Sequence, residues 1–199
     1  IFGSQSELRA VAQAYAEADF SEPNALFVEL LEQMGTKELS GRLLDLGCGP
    51  GDIPLRLAQR QHALEIDAVD GAPAMLQIAQ QRLDSQSELA GRVRLVNDRL
   101  PSRRLPNRHY RYIASNSLLH HLEDPQALWD TVRRCAQPGA LVLVMDLVRP
   151  ASPMAVDGLV ETYAIDAPEV LRRDFRNSLF AAFEPREVTT QLAEAGMGG

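Results

Sequence analysis

The chain has 199 residues, of which 45% are hydrophobic, enough to bury the core of one α/β domain. Its net charge of −7 argues against a general nucleic-acid or anionic-membrane surface, because both need clustered positive charge. Cys48 and Cys135, far apart, offer neither a disulfide framework nor a metal-ligand spacing, so no metal is expected and a reducing, cytoplasmic setting fits. No run approaches the ~20 apolar residues of a membrane-spanning helix, and membrane insertion is not expected. The first residues lack a signal-peptide pattern. The sequence starts at Ile1 rather than Met, so N-terminal sequence is expected to lie outside it.

In chain order, Ser6 to Phe20 places Leu8, Val11, Ala12, Tyr15 and Ala18 at helical spacing, with Ser6 as N-cap. Asn24 to Met34 repeats the pattern through Leu26, Phe27, Leu30 and Leu31, and Gly35 can close it. These two helices would either cover a sheet or roof a ligand site. Leu43-Leu44-Asp45-Leu46-Gly47-Cys48-Gly49-Pro50-Gly51-Asp52 then reads as a buried strand, a glycine turn and the start of a helix over Ile53 to Arg60. Glycines at 47, 49 and 51 allow positive φ and close approach of a ligand to the main chain. A dinucleotide fingerprint needs G-x-G-x-x-G, and the sixth position from Gly47 is Asp52. The spacing is therefore not that of a pyrophosphate site, and Asp45 suits a cationic ligand better. A tight turn with no ligand is the alternative.

Leu64 to Val69 is a second strand ending at Asp70, about twenty residues beyond the turn, where nucleoside-binding α/β folds accept ribose hydroxyls. Pro73 opens a helix with Met75, Leu76, Ile78, Ala79 and Leu83 on one face. Met75 is placed to lie against a base or, equally, in the core. Val93 to Val96 is a third strand, followed by Asn97-Asp98-Arg99, in which Asp98 could accept from an exocyclic amine or serve as a turn residue. Seven arginines fall between 92 and 111, a solvated surface or a docking site for an anionic partner. Tyr110 to Ser115 is a fourth strand, and Asn116-Ser117-Leu118-Leu119-His120-His121 leaves its tip. Gln126 to Ala136 is a helix, Pro138-Gly139 a turn, and Ala140 to Asp146 an apolar run that indicates the centre of a parallel sheet. Ala155 to Ile165, Pro168 to Phe183 and Pro185 to Ala195 read as helices with no strand of their own to flank.

Together these motifs resemble the class I S-adenosylmethionine-dependent methyltransferases, in particular the UbiE and type 11 groups, over residues 40 to 147. Leu44 to Gly51 is similar to their first motif, Ala68-Val69-Asp70 with Pro73 and Met75-Leu76 to the second, Asn97-Asp98 to the third and Ser115 to Leu122 to the fourth. The resemblance implies an α/β fold with a Rossmann-like, doubly wound parallel sheet. It implies S-adenosyl-L-methionine as cofactor, S-adenosyl-L-homocysteine as product, and a small-molecule acceptor. It implies that Asp45 faces the methionyl amino group along the backbone of Gly47, Cys48, Gly49 and Gly51. Asp70 would take the ribose hydroxyls, and Asp98, with Asn97 and Arg99 beside it, the adenine. Ala72 and Met75 would wall the base, and Ser115 with Asn116 would meet the amino-acid end. Gly71 and Ala72 stand where the family often has a bulkier residue and a serine, so that wall is expected to be looser. The family's sheet ends in an antiparallel pair after its fifth strand. This sequence stops before it, so a truncated chain is expected.

On this basis residues 1–199 form one domain, with 1–40 a helical cap, 41–147 the cofactor core and 148–199 a helical substrate region. Either of His120 and His121 suits a base near neutral pH, or they cap the helix running from the fourth strand and hydrogen-bond backbone. Tyr163, Arg172, Arg173, Phe175, Arg176 and Phe180 could form a pocket for an acidic or aromatic acceptor, although packing and surface charge explain them as well. Two alternatives are non-methyl chemistry on the same cofactor and a non-catalytic cofactor-binding protein. Base-amino methylation of nucleic acid is disfavoured, because Ser115-Asn116-Ser117-Leu118 lacks the Asn/Asp-Pro-Pro-aromatic tetrapeptide.

Overall fold

The computed structural model describes residues 5–35 and 38–198, and only the backbone of residues 5–8. The expected cap Ser6 and the side chain of Leu8 fall outside that description. Five parallel strands, β1 (Ser40–Leu46), β2 (Ala63–Asp70), β3 (Val93–Asn97), β4 (Tyr110–Asn116) and β5 (Ala136–Met145), form one sheet in the order β3-β2-β1-β4-β5. The order reverses between β1 and β4. The crevice of an open α/β sheet lies beyond the carboxyl ends of such a pair. Pairing of Leu46 with both Val69 and Ser115 brings the ends of β2, β1 and β4 level there.

Helices α2 (Ser21–Met34), α3 (Asp52–Arg60) and α4 (Pro73–Asp84) connect through a core of Phe27, Leu31, Leu43, Leu57, Ile66 and Tyr112, with Leu83 packed against it. On the other face α5 (Gln126–Cys135) and α8 (Pro185–Glu194) meet Leu44, Leu46, Ile113 and Val132. The buried positions of α5 are 127, 128, 129, 131, 132 and 135, a stripe of 3.6-residue period widened by Trp129. Proline occupies the first turn of α4, α8 and α6 (Pro153–Tyr163), where its missing N–H costs nothing. Helix α8 therefore does flank the sheet, held also by Trp129 Nε1 donating to Gln191 Oε1 at 3.0 Å. Only α6 and α7 (Glu169–Ala181) build a separate small core, around Val156, Val160, Ala164 and Leu179. Of the two N-terminal helices, α2 covers the sheet, whereas α1 (Gln5–Glu17) packs on α4 and α7. No described helix is long and apolar enough to cross a membrane.

Two expectations change. The apolar run of β5 is at the edge of the sheet and its side chains are only half-buried, because no described strand pairs with its outer side; β1 is the centre. The Pro138-Gly139 turn is a bulge inside β5. Tyr110 pairs with Ala136 but Tyr112 with Leu141, and residues 137–140 loop out between. Gly139 takes φ +76 there.

A buried polar network ties β2, β3 and β4 below the crevice. Asp67, 4% exposed, accepts from Arg94 Nε and Nη2 at 2.7 and 2.8 Å and from the Tyr110 hydroxyl at 2.5 Å. Burial alone would raise the Asp67 carboxyl, but Arg94 and Tyr110 hold it below the usual range. Arg94 thus belongs to the fold, as does Arg92, which donates to the carbonyls of Ala58 and Gln61. Because its folded value is depressed, ionised Asp67 adds stability above the unfolded carboxyl range, and that stability is lost as pH falls through the folded value. Tyr110→Phe is expected to cost about 1–3 kcal/mol in urea unfolding at neutral pH, and to move the acid limb of the stability curve to higher pH.

Candidate active site

The glycine turn is built on the end of β2. The amides of Gly47 and Cys48 both donate to the Val69 carbonyl, at 2.8 and 3.0 Å. Gly47 and Gly51 take φ +79 and +88, a region L side chains rarely adopt. A Cβ on Gly47 would stand 3.0 Å from Leu118, and one on Gly51 3.1 Å from Ala79, so both positions also lack room. A Cβ on Gly49 would meet nothing within 4 Å, so this backbone borders open space. Gly51 starts α3 with no side-chain cap, leaving the helix's first N–H groups open.

Two carboxylates lie beneath the turn. Asp70 accepts from the amides of Gly49 at 2.9 Å and Ala72 at 2.7 Å, so the acid at the tip of β2 sets the shape of the turn. Burial raises its carboxyl, opposed by those two amides and His121. Asp45, 1% exposed, has one oxygen, Oδ2, with no hydrogen-bond partner among the described residues. Burial, reinforced by Asp70, pushes its carboxyl up to about 7. Burial and the same two acids also raise the Cys48 thiol, which stays protonated. An unpaired buried carboxylate is costly unless something cationic meets it.

The β3 side closes the wall. A Cβ on Gly71 would meet Arg99 Cγ at 3.2 Å, so Arg99 occupies the space that a bulkier residue at 71 would fill. The opening expected at Gly71 is thus taken up. Ala72 is exposed and Met75 half-buried beside the buried Leu76 and Ala79. Asn97 Nδ2 donates to the Asp70 carbonyl at 3.0 Å. The Asp98 oxygens accept from the Arg99 amide and the Ser102 hydroxyl, at 2.9 and 2.6 Å.

At the tip of β4, Ser115 is fully buried and its hydroxyl donates to the Leu46 carbonyl at 3.0 Å. Asn116 is half-buried, and Ser117 takes φ +55, a strained turn for a non-glycine residue. The chain then forms one 3-10 turn, Leu119–His121, in which the two histidines part. His120 is 7% exposed, with Nδ1 2.5 Å from Asp146 Oδ1. An ionised carboxylate only accepts, so Nδ1 carries the hydrogen. Asp146 also accepts from the amides of Leu119 and Leu147, both at 2.7 Å, which fastens the turn to the end of β5. His121 is the more exposed of the two, its ring centroid 4.0 Å from that of His120. Partial desolvation and then His120 lower it below the ordinary imidazole value, against Asp174, Asp146 and Asp70. Neither ring caps backbone in the way the alternative reading expects.

Asp146, Asp174 and Tyr15 were missed as site residues in the sequence. Tyr15 donates its hydroxyl to Asp174 Oδ2 at 2.6 Å, joining α1 to α7. A strand ending in an acid, Met145-Asp146, was the available signal for the first; no sequence pattern links residues 15 and 174. The arginine-lined pocket does not form. Arg172, Arg173 and Arg176 are exposed; Arg176 pairs with Asp157 at 2.8 Å and lies over the Phe180 ring, while Tyr163 is 75% exposed. The helical phase of α7 turns Asp174 and Leu171 inward and the arginines out.

The family model described as a methyltransferase domain matches residues 15–197. An uncharacterised methyltransferase of Mycobacterium tuberculosis is 30% identical over 109 residues, 55% of this chain and 52% of that protein. The chain thus spans about half the length of that relative. A trans-aconitate 2-methyltransferase of the same organism is 41% identical over 59 residues, 30% of this chain and 22% of that protein. A putative S-adenosyl-L-methionine-dependent methyltransferase of Methanococcus maripaludis superposes with TM-score 0.70 and 14% identity, covering 98% of this chain and 86% of the other. At that identity the likeness is one of fold.

The raised Asp45 carboxyl makes a measurable demand on the empty protein. Between the unfolded carboxyl value and about 7, the folded state binds the extra proton, so stability falls as pH rises through that window. The full penalty is on the order of 4 kcal/mol. Asp45→Asn is expected to flatten the profile between pH 4 and 8 and to raise the Tm of the ligand-free protein at pH 8, measured by scanning calorimetry.

Proposed function

The chain belongs to the methyltransferase-domain family, and on that premise we propose that it is an enzyme moving a methyl group from S-adenosyl-L-methionine to a small-molecule acceptor. The observation that carries the reading is the buried, unpartnered Asp45 Oδ2 under a glycine turn that borders open space. The cofactor's ammonium is the cation this oxygen lacks, and its amino-acid end fits a main chain stripped of side chains. In this reading Asp45 binds the ammonium, and Gly47, Cys48, Gly49 and Gly51 line the methionyl chain. Asp70, already oriented by two amides, receives the ribose hydroxyls. Asp98, Arg99, Ala72 and Met75 border the base, with Asn97 holding β3 to Asp70. Ser115 and Asn116 supply backbone at the amino-acid end.

When bound, the cofactor supplies a sulfonium-activated methyl carbon. The protein's part is alignment of the acceptor and, for an O–H or N–H acceptor, removal of a proton. The two histidines divide that labour. Asp146 locks His120, which positions the turn, and His121 faces the cleft. Its depressed value leaves the imidazole neutral near pH 7 and able to take a proton. Residues 41–147 would hold the cofactor, with α1 and α7 framing the acceptor.

Calorimetric titration with S-adenosyl-L-homocysteine tests the cofactor site, and labelled methyl transfer into a metabolite extract tests the activity. Gly47→Val is expected to abolish cofactor binding in a protein that still unfolds cooperatively, because φ +79 and the Leu118 contact both exclude the side chain. His121→Ala is expected to keep cofactor binding and lower kcat by about 10²–10⁴. Retained binding in the first variant, or unchanged kcat in the second, contradicts the corresponding role.

A further inference from the structure

The end of the cleft where an acceptor must sit is acidic. Asp174 from α7, Asp146 from the tip of β5 and Asp70 from the tip of β2 all act on His121. Asp174 is oriented by the Tyr15 hydroxyl of α1, so two helices converge to present one carboxylate. Two arginines are committed elsewhere. Arg82 donates to Asp52 and to the carbonyls of Pro50 and Ala16. Arg149 donates to the Ala182 carbonyl and to Glu187. The arginines of α7 face outward.

An unpaired nitrogen stands at the same end. His120 is 7% exposed, its Nδ1 is taken by Asp146, and its Nε2 has no hydrogen-bond partner among the described residues. This ring lies tilted at 40° to that of His121, their centroids 4.0 Å apart. The site therefore gathers three carboxylates and, on the ring next to His121, a buried nitrogen without a partner among the described residues. An anionic acceptor at this end would meet like charge from these carboxylates.

Resting on the methyltransferase reading above, we propose that the acceptor carries a basic nitrogen and that Asp174 is the carboxylate that binds its ammonium form. One N–H bond of the ammonium breaks and its proton passes to the His121 imidazole. The lone pair left on nitrogen forms the new N–C bond as the methyl–sulfur bond breaks, that electron pair staying on sulfur to give the thioether. The imidazolium so formed lies among Asp174, Asp146 and Asp70, which stabilise it. Tyr15 is a positioning residue in this scheme, acting through Asp174.

The test uses the full chain saturated with S-adenosyl-L-homocysteine, titrated with size-matched pairs running from ethylamine and propionate to tyramine and 3-(4-hydroxyphenyl)propionate. Calorimetry and thermal shift should show binding of amine members over their carboxylate partners. Asp174→Asn should weaken amine binding at least tenfold while homocysteine-cofactor binding persists. Tyr15→Phe, which keeps the carboxylate, should weaken it by about threefold or less, and Arg176→Gln should leave it unchanged. Preference for the carboxylates, amine binding indifferent to Asp174→Asn, or no amine binding to a cofactor-loaded protein each overturns the proposal. Failure to bind S-adenosyl-L-homocysteine at all instead overturns the methyltransferase reading, and the acceptor assignment falls with it.

Discussion

Asp45 is a carboxylate taken almost entirely out of water, with one oxygen unpaired and a second acid, Asp70, close enough to raise it further. Nothing in the packing of the sheet requires an acid there; Leu44 and Leu46 on either side satisfy the core. The arrangement is tolerable because a proton covers the charge in the empty protein, and it becomes favourable when a cation replaces that proton. In the proposed function the Gly47–Gly51 turn, the amides gathered by Asp70 and the open start of α3 form a single receptor around this residue. Under that proposal, the stability that Asp45 costs is the counterpart of the affinity it would provide.

The sheet makes this possible by levelling its strand ends. Order β3-β2-β1-β4-β5 puts the reversal beside β1, and the pairing of Leu46 with Val69 and Ser115 sets three strand tips around one crevice. Each tip then contributes a group in a different state. Asp70 is bound by backbone, Asp45 keeps one oxygen without a partner among the described residues, and the segment after Asn116 is pulled over to β5 by Asp146. The Asp67–Arg94–Tyr110 network lies lower in the same strands and fixes their spacing without reaching the crevice. Above it, a hydroxyl–carboxylate bond from Tyr15 to Asp174 joins α1 to α7.

Local sequence carried the strands, most helices and the glycine turn, because alternation, apolar stripes and φ-permissive residues are properties of neighbours in the chain. The place of β5 was not legible in this way. Ala140 to Met145 is as apolar as a central strand, and only the pairing of the whole sheet shows that one side is open. The split between His120 and His121 depended on Asp146, a residue visible in sequence only as the end of a strand. Tyr15 and Asp174 are 159 positions apart, and no local pattern could join them. The α7 arginines misled for a related reason: their charge was evident, but the helical phase that turns them outward is set by Phe175 and Leu179 packing into the small core with α6.

The central claim is that Asp45 exchanges a proton for the cofactor's ammonium. Calorimetric titration of S-adenosyl-L-homocysteine at pH 7, repeated in buffers of different ionisation enthalpy, counts the protons exchanged on binding. A carboxyl at about 7 in the empty protein, ionised in the complex, predicts net release of roughly half a proton, and no release in Asp45→Asn. Tight binding with no proton released, or release unchanged in Asp45→Asn, would contradict the account.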